Sequence, residues 1–162
     1  MSSDLSIVIQ PATSPPTADC ATSCGPILRA LPEWFGIESS TKAYIESTDQ
    51  MPTILAFDGQ RAVGFLTLNQ HFPQSAEIHV VGVHPDYHRQ GVGRLLQAEA
   101  ERWCLQQGIR LLQVKTVAEG RECVHYKKTR AFYLSMGFVP LEVFPTLWDE
   151  ECPCLQLVKP LR

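Results

Sequence analysis

Two titratable side chains stand on one face of an otherwise apolar segment. Residues 76–83 read Ala-Glu-Ile-His-Val-Val-Gly-Val. Alternate residues of a strand share a face, so Glu77 and His79 line up with Val81 and Val83. A carboxylate there can take a proton, and an imidazole can do the same near neutral pH. Glu77 is the first candidate base, because an ionised carboxylate is seldom set among apolar residues without cause. His79 is the second. The structural alternatives are a carboxylate paired with a cross-strand cation and a hydrogen-bonded histidine. Directly afterwards the chain reads His84-Pro-Asp-Tyr-His-Arg-Gln-Gly-Val-Gly-Arg-Leu-Leu96. Gly91 and Gly93 let backbone N–H groups approach a ligand with no Cβ in the way. A helix opens there, with Val92, Leu95, Leu96, Ala100, Trp103 and Cys104 on one stripe. A glycine turn followed by a helix N-terminus suits a pyrophosphate, and Arg89 and Arg94 suit the same anion. A dinucleotide fingerprint would place its third glycine where Leu96 stands. A Walker A loop would need Gly-Lys-Ser/Thr after Gly91.

The run His88-Arg89-Gln90-Gly91-Val92-Gly93 resembles the acyl-CoA pyrophosphate loop of the GNAT superfamily of N-acetyltransferases, written Gln/Arg-x-x-Gly-x-Gly/Ala. His88 departs from the usual Gln or Arg. The resemblance covers most of the chain and is strongest over 76–139. It implies a direct transfer from acetyl-CoA to an amine in a ternary complex. Members that use a strand glutamate as base carry it eleven residues before the loop's Gln/Arg, and Glu77 stands eleven before His88. Thr129 to Phe138 resembles the family helix ending Tyr-x-x-x-Gly-Phe, whose tyrosine lies near the CoA sulfur. This makes Tyr133 the candidate acid for the departing thiolate, since a phenol keeps its proton at neutral pH. The alternative is a core aromatic among Ala131, Phe132 and Met136. The asparagine often found seven residues earlier is replaced by Tyr126. Gly82 marks either a bulge or a packing contact. In the family this strand is bulged, which implies that the backbone of Val81 and Val83 meets the pantetheine arm and the thioester.

The acceptor side follows from charge and from the same resemblance. Residues 31–50 hold Glu33, Glu38, Glu46 and Asp49 against Lys42, and residues 142–151 hold Glu142, Asp149, Glu150 and Glu151 with no base. Basic residues gather instead at Arg89, Arg94, Lys127, Lys128 and Arg130. That asymmetry favours a small cationic amine; ordinary solvated faces are the plainer account. Trp34, Phe35 and Trp148 form either an apolar acceptor wall or core. A protein lysine or N-terminus is the alternative acceptor, and a non-catalytic acyl-CoA-binding regulator is the alternative class.

The elements that must position these groups follow from composition and pattern. With 162 residues, 44% hydrophobic and 19% charged, the chain reads as a single domain, 1–162. Its net charge of −3 argues against nucleic acid. No apolar run reaches membrane-spanning length, and Met1 to Asp4 carries no basic leader, so a cytoplasmic protein is expected. A homodimer is left open. Cys20/Cys24 and Cys152/Cys154 lack Cys-x-x-Cys spacing, so buried or incidental thiols are expected and no metal. Strands are expected over Leu5–Gln10, Thr53–Phe57, Ala62–Leu68, Ala76–Val83, Leu111–Val117, Phe138–Val143 and Leu155–Val158. Residues 11–19 read as a loop. Helices are expected over Pro26–Phe35, broken at Pro32, over Ser39–Ser47 with Ser/Thr caps, over Gly91–Gln107 and over 125–136. This order is an α+β (mixed α/β) fold. It is also the order the resemblance implies: a twisted, mostly antiparallel sheet of about seven strands with flanking helices.

Overall fold

The computed structural model describes residues 6–13, 19–120 and 124–162. Leu5, the Met1 to Asp4 start and part of the 11–19 loop lie outside them. The elements are β1 (Ile7–Gln10), α1 (Cys20–Arg29), α2 (Glu38–Ser47), β2 (Thr53–Asp58), β3 (Arg61–Phe72), β4 (Ser75–Val83), a 3₁₀ turn (Pro85–Tyr87), α3 (Val92–Gln106), β5 (Leu111–Val117), α4 (Val124–Ser135), β6 (Val139–Asp149) and β7 (Cys152–Pro160). The seven strands run in the order β1-β2-β3-β4-β5-β7-β6. β4 and β5 pair in parallel, Ser75 to Ile78 against Leu111 to Val114, as the crossover through α3 requires. The fold is the expected mixed α+β arrangement. The chain divides into two compact units. One joins the residues through Asn69 to His79–Trp103, and the other joins Gln70–Ile78 to Cys104–Arg162.

In the first unit, α1 buries Cys20, Cys24, Ile27 and Leu28 with Leu31, Leu55, Phe65 and Val80. This helix starts six residues before the expected Pro26 and contains Pro26. A proline inside a helix costs about 3 kcal/mol, but full burial of Ile27 and Leu28 returns about 1.5–3 kcal/mol each, so the apolar stripe wins. The helix α2 starts at Glu38 behind Ile37, with no side-chain cap. Its hydroxyls instead bond backward: Thr41 Oγ1 donates to Ile37 O at 3.1 Å and Ser47 Oγ to Tyr44 O at 2.6 Å. The expected Ser/Thr cap is therefore wrong. The hairpin of β2 and β3 turns at Gly59-Gln60, and buried Thr53 and Thr67 hydroxyls meet across it at 2.9 Å. On the opposite side of β3 from Phe65, Gly64 lies against Val92 and Leu96 of α3. The α3 stripe differs from the expected one at one place: Leu95 is exposed and Gln97 is buried.

In the second unit, β5 pairs antiparallel with β7 from Leu111↔Pro160 to Val117↔Cys154. The helix α4 packs on β5 and buries Tyr133. The β6–β7 hairpin is longer than expected. Pro145 hides the second half of its strand pattern, yet β6 is an edge strand, where a missing N–H is tolerated. Asp149 Oδ1 accepts from the N–H groups of Glu151 and Cys152, both at 2.8 Å, and closes the turn.

Candidate active site

The glycine loop belongs wholly to the first unit. Leu95 N–H donates to Gly91 O at 3.1 Å, so Gly91 supplies the first carbonyl of α3. The N–H groups of Val92, Gly93 and Arg94 then belong to the first helical turn, where no helical carbonyl can reach them. Gly91 has φ +83°, a region that glycine enters without a Cβ clash. The Val92 side chain is core, so its contribution to a ligand is its backbone. Arg89, at φ +61°, and Arg94 are exposed on either side. His88 and Gln90 turn inward on the loop itself. His88 Nε2 donates to Val83 O at 2.6 Å, and Gln90 Nε2 donates to Asp86 O at 3.1 Å.

Along β4 the residues alternate as expected: Glu77, His79, Val81 and Val83 are partly exposed, and Ala76, Ile78, Val80 and Gly82 are buried. Gly82 has a packing reason. A Cβ there would lie 3.2 Å from Leu28 and Phe65 side-chain atoms. Within the first unit His79 packs edge-on to Tyr44 at 5.3 Å, and Tyr44 to Phe35 at 5.9 Å. Trp34 packs edge-on to His88 at 6.1 Å. Trp34 and Phe35 also lie against the α1 core. Trp148 is half-exposed on β6 of the second unit.

Glu77 belongs to the second unit. Its carboxylate is mostly buried. Oε1 lies 2.8 Å from His71 Nε2 at the end of β3, and Oε2 accepts from Lys115 Nζ of β5 at 3.1 Å. Both partners escaped sequence reading, because only the register of β4 on β5 puts Lys115 beside Glu77. Cys154 of β7 faces the same group. Burial pushes its thiol pKa up, with Lys115 opposing and Glu77 adding. Tyr133 is buried edge-on between Phe132 and Phe138, with ring centroids at 5.5 Å from each. Burial pushes its phenol well above the usual range, so the proton is held firmly. Arg130 donates to Val117 O at 2.7 Å and is thereby committed to the end of β5.

Among the described residues no group of three or more His, Cys, Asp or Glu is placed to hold a metal. Cys20, Cys24, Cys104, Cys152 and Cys154 are not joined in disulfides. Burial pushes the Cys24 thiol far up, with Cys20 adding to it. Among the described residues no helix is long and apolar enough to cross a membrane.

A family model described as the acetyltransferase (GNAT) family matches residues 26–138. The chain belongs to the GNAT acetyltransferase family. This acetyltransferase shares its fold with solved structures of low sequence identity. A Desulfovibrio desulfuricans protein described as an acetyltransferase of the GNAT family superposes with TM-score 0.84 at 15% identity, over 97% of this chain and 100% of that one. An aminoglycoside 6'-N-acetyltransferase complexed with coenzyme A gives 0.73 at 17%, over 94% and 96%. The ribosomal-protein-S18-alanine N-acetyltransferase of Escherichia coli gives 0.71 at 17%, over 96% and 94%. No curated protein matches the sequence significantly. The acetyltransferase is thus an acyltransferase enzyme by family, with structural neighbours that act on small amines or on protein.

Proposed function

We propose that this acetyltransferase carries an acetyl group from acetyl-CoA to a primary amine, a small cationic molecule, by direct attack in a ternary complex. The observation that carries the reading is the opened first turn of α3 behind Gly91, flanked by exposed Arg89 and Arg94. Three amides and two guanidiniums suit a pyrophosphate and leave no role for a neutral donor. Glu77 takes the ammonium proton, and the amine nitrogen then attacks the thioester carbonyl. The backbone near Val81 and Val83 receives the developing oxyanion. As the C–S bond breaks, the Tyr133 phenol protonates the thiolate, and the second proton shed by the nitrogen as the amide forms returns to the tyrosinate. An ionised carboxylate has about four lone-pair sites, so Glu77 can accept while bonded to His71 and Lys115. His71, partly exposed, offers that proton a way out. His79 is the second candidate base. Trp34, Phe35 and Trp148 are proposed for the acceptor, whose positive charge suits Glu33, Glu46, Glu142, Glu150 and Glu151. Glu38 is less available, because Arg29 holds it in a two-bond pair at 2.8 and 3.0 Å. Cysteines kept out of disulfides suit the reducing cytoplasm.

The test is turnover of acetyl-CoA with polyamines, aminoglycosides, lysine peptides and peptide N-termini in parallel. Small polycations should be fastest. Preference for a peptide would move the acceptor to protein, and acetyl-CoA binding without turnover on any arm would make the chain a regulator. With the best amine, Glu77→Gln should lower turnover roughly 10²–10⁴-fold, the usual contribution of a positioned base. Acetyl-CoA binding should barely change, and activity should recover in part at alkaline pH. A Glu77→Gln profile that tracks the parent would pass the role to His79 or to water.

A further inference from the structure

The turn that carries the glycine loop holds a conformation that a free chain would not keep. Arg89 sits at φ +61° and Gly91 at +83° within three residues. A non-glycine residue in that region is held there by its surroundings. The turn's own bonds are local: Tyr87 N–H to His84 O at 2.9 Å, His88 N–H to Pro85 O at 3.2 Å and Asp86 N–H to His84 Nδ1 at 3.2 Å. They shape the turn, and His88 Nε2, donating to Val83 O at 2.6 Å, ties it to the end of β4.

A second fastening, made by side chains, comes from the β2–β3 hairpin. Tyr87 Oη donates to Asp58 Oδ2 at 2.6 Å, a charge-assisted bond. Arg61 lies over the Tyr87 ring, its Cζ 5.5 Å from the centroid. Its Nη2 is 3.3 Å from His84 Nε2 and 3.7 Å from Asp86 Oδ2. Asp58 and Arg61 are register partners on either side of Gly59-Gln60, so both grips come from one rigid turn. The backbone agrees, since His84 N–H donates to Val63 O at 2.8 Å. The bond to Asp58 also raises the Tyr87 phenol pKa, which keeps the donated proton in place.

We propose that Asp58, Arg61 and Tyr87 form a clamp that fixes the pyrophosphate loop and thereby sets the affinity for acetyl-CoA. They are positioning residues and touch no reacting atom. The inference rests on the reading of 88–94 as the pyrophosphate loop.

The experiment compares two donors: acetyl-CoA, and acetyl-pantetheine, which ends before the pyrophosphate. Tyr87→Phe and Asp58→Ala should raise KM for acetyl-CoA roughly three- to tenfold, the range one hydrogen bond is worth. Their kcat should hold, and kcat/KM for acetyl-pantetheine should match the parent. Asp58→Asn keeps an oxygen acceptor and should restore most of the affinity. The double variant should be no worse than the weaker single one, because both changes remove one shared bond. Equal losses on both donors would overturn the clamp, since a general loss of structure does not sense the pyrophosphate. Gly91→Val is measured beside them. If it weakens acetyl-CoA while Tyr87→Phe and Asp58→Ala do not, the clamp falls and the loop stands. If Gly91→Val leaves acetyl-CoA affinity unchanged, the loop reading itself falls.

Discussion

Single side chains in this protein are set by what they touch more than by their type. Glu77 carries two nitrogen partners, one on each oxygen. His88 replaces the family's usual Gln or Arg, and its Nε2 secures the end of β4 rather than reaching outward. Tyr133 is fully enclosed by its neighbours, and burial alone raises its phenol pKa. That makes it a weaker acid than a free phenol, matched to a thiolate only because the same burial would raise the basicity of a thiolate formed beside it. Tyr133→Phe removes the hydroxyl and keeps the ring between Phe132 and Phe138, so the melting temperature should change little. If the hydroxyl protonates the thiolate, kcat should fall much further than acetyl-CoA affinity, because the charge develops only as CoA leaves. The defect should shrink with a donor whose thiol is more acidic. Equal rates for Tyr133→Phe and the parent across donors would leave the ring a purely packing role.

At the scale of elements, close approach decides what the chain tolerates. The helix α1 rests on Gly82 of β4 through Ile27 and Leu28, and the strand residue Phe65 closes the same space. A Cβ on Gly82 would meet their side-chain atoms at 3.2–3.4 Å, tighter than ordinary contact. Gly82→Ala should therefore destabilise the protein by about 1–2 kcal/mol, an overpacking cost. A denaturation midpoint equal to the parent's would show that Leu28 and Phe65 yield freely. The longer β6–β7 hairpin follows the same logic in reverse. An edge strand leaves room for Pro140 and Pro145, and the Asp149 side chain replaces the missing turn glycine.

For the whole molecule, pH acts on both units through buried protons. Cys24 lies in the first unit, and Tyr133 and Cys154 lie in the second. Burial raises all three above their usual values. The folded chain then keeps protons that the unfolded chain has lost. Their contribution to stability is complete below the unfolded values, about 8.5 for a thiol and about 10 for a phenol. It declines as pH rises beyond those values toward the folded ones. Melting temperature should thus hold from neutrality to about pH 8 and fall above it. Cys24→Ala should flatten the thiol part of that fall. A melting curve unchanged between pH 8 and 11 would contradict the burial of these groups.

The sequence by itself determined whatever is local. The alternation of β4, the glycine turn and the α3 stripe are short-period patterns, and the three adjacent signals sufficed to point to the family. The spacing of Glu77 to His88 and the Tyr133-x-x-x-Gly137 ending needed only residue counts. Where local signals conflict, the pattern misled. Pro26 masked α1, whose burial outweighs it, and Pro145 masked the second half of β6, whose edge position forgives it. Only the tertiary structure decided the partners. Lys115 meets Glu77 across 38 residues and Tyr87 meets Asp58 across 29. His88 meets Trp34 from another element altogether. No period in the chain encodes such pairs. They follow from strand register and turn conformation, which are fixed by contacts between residues distant in sequence.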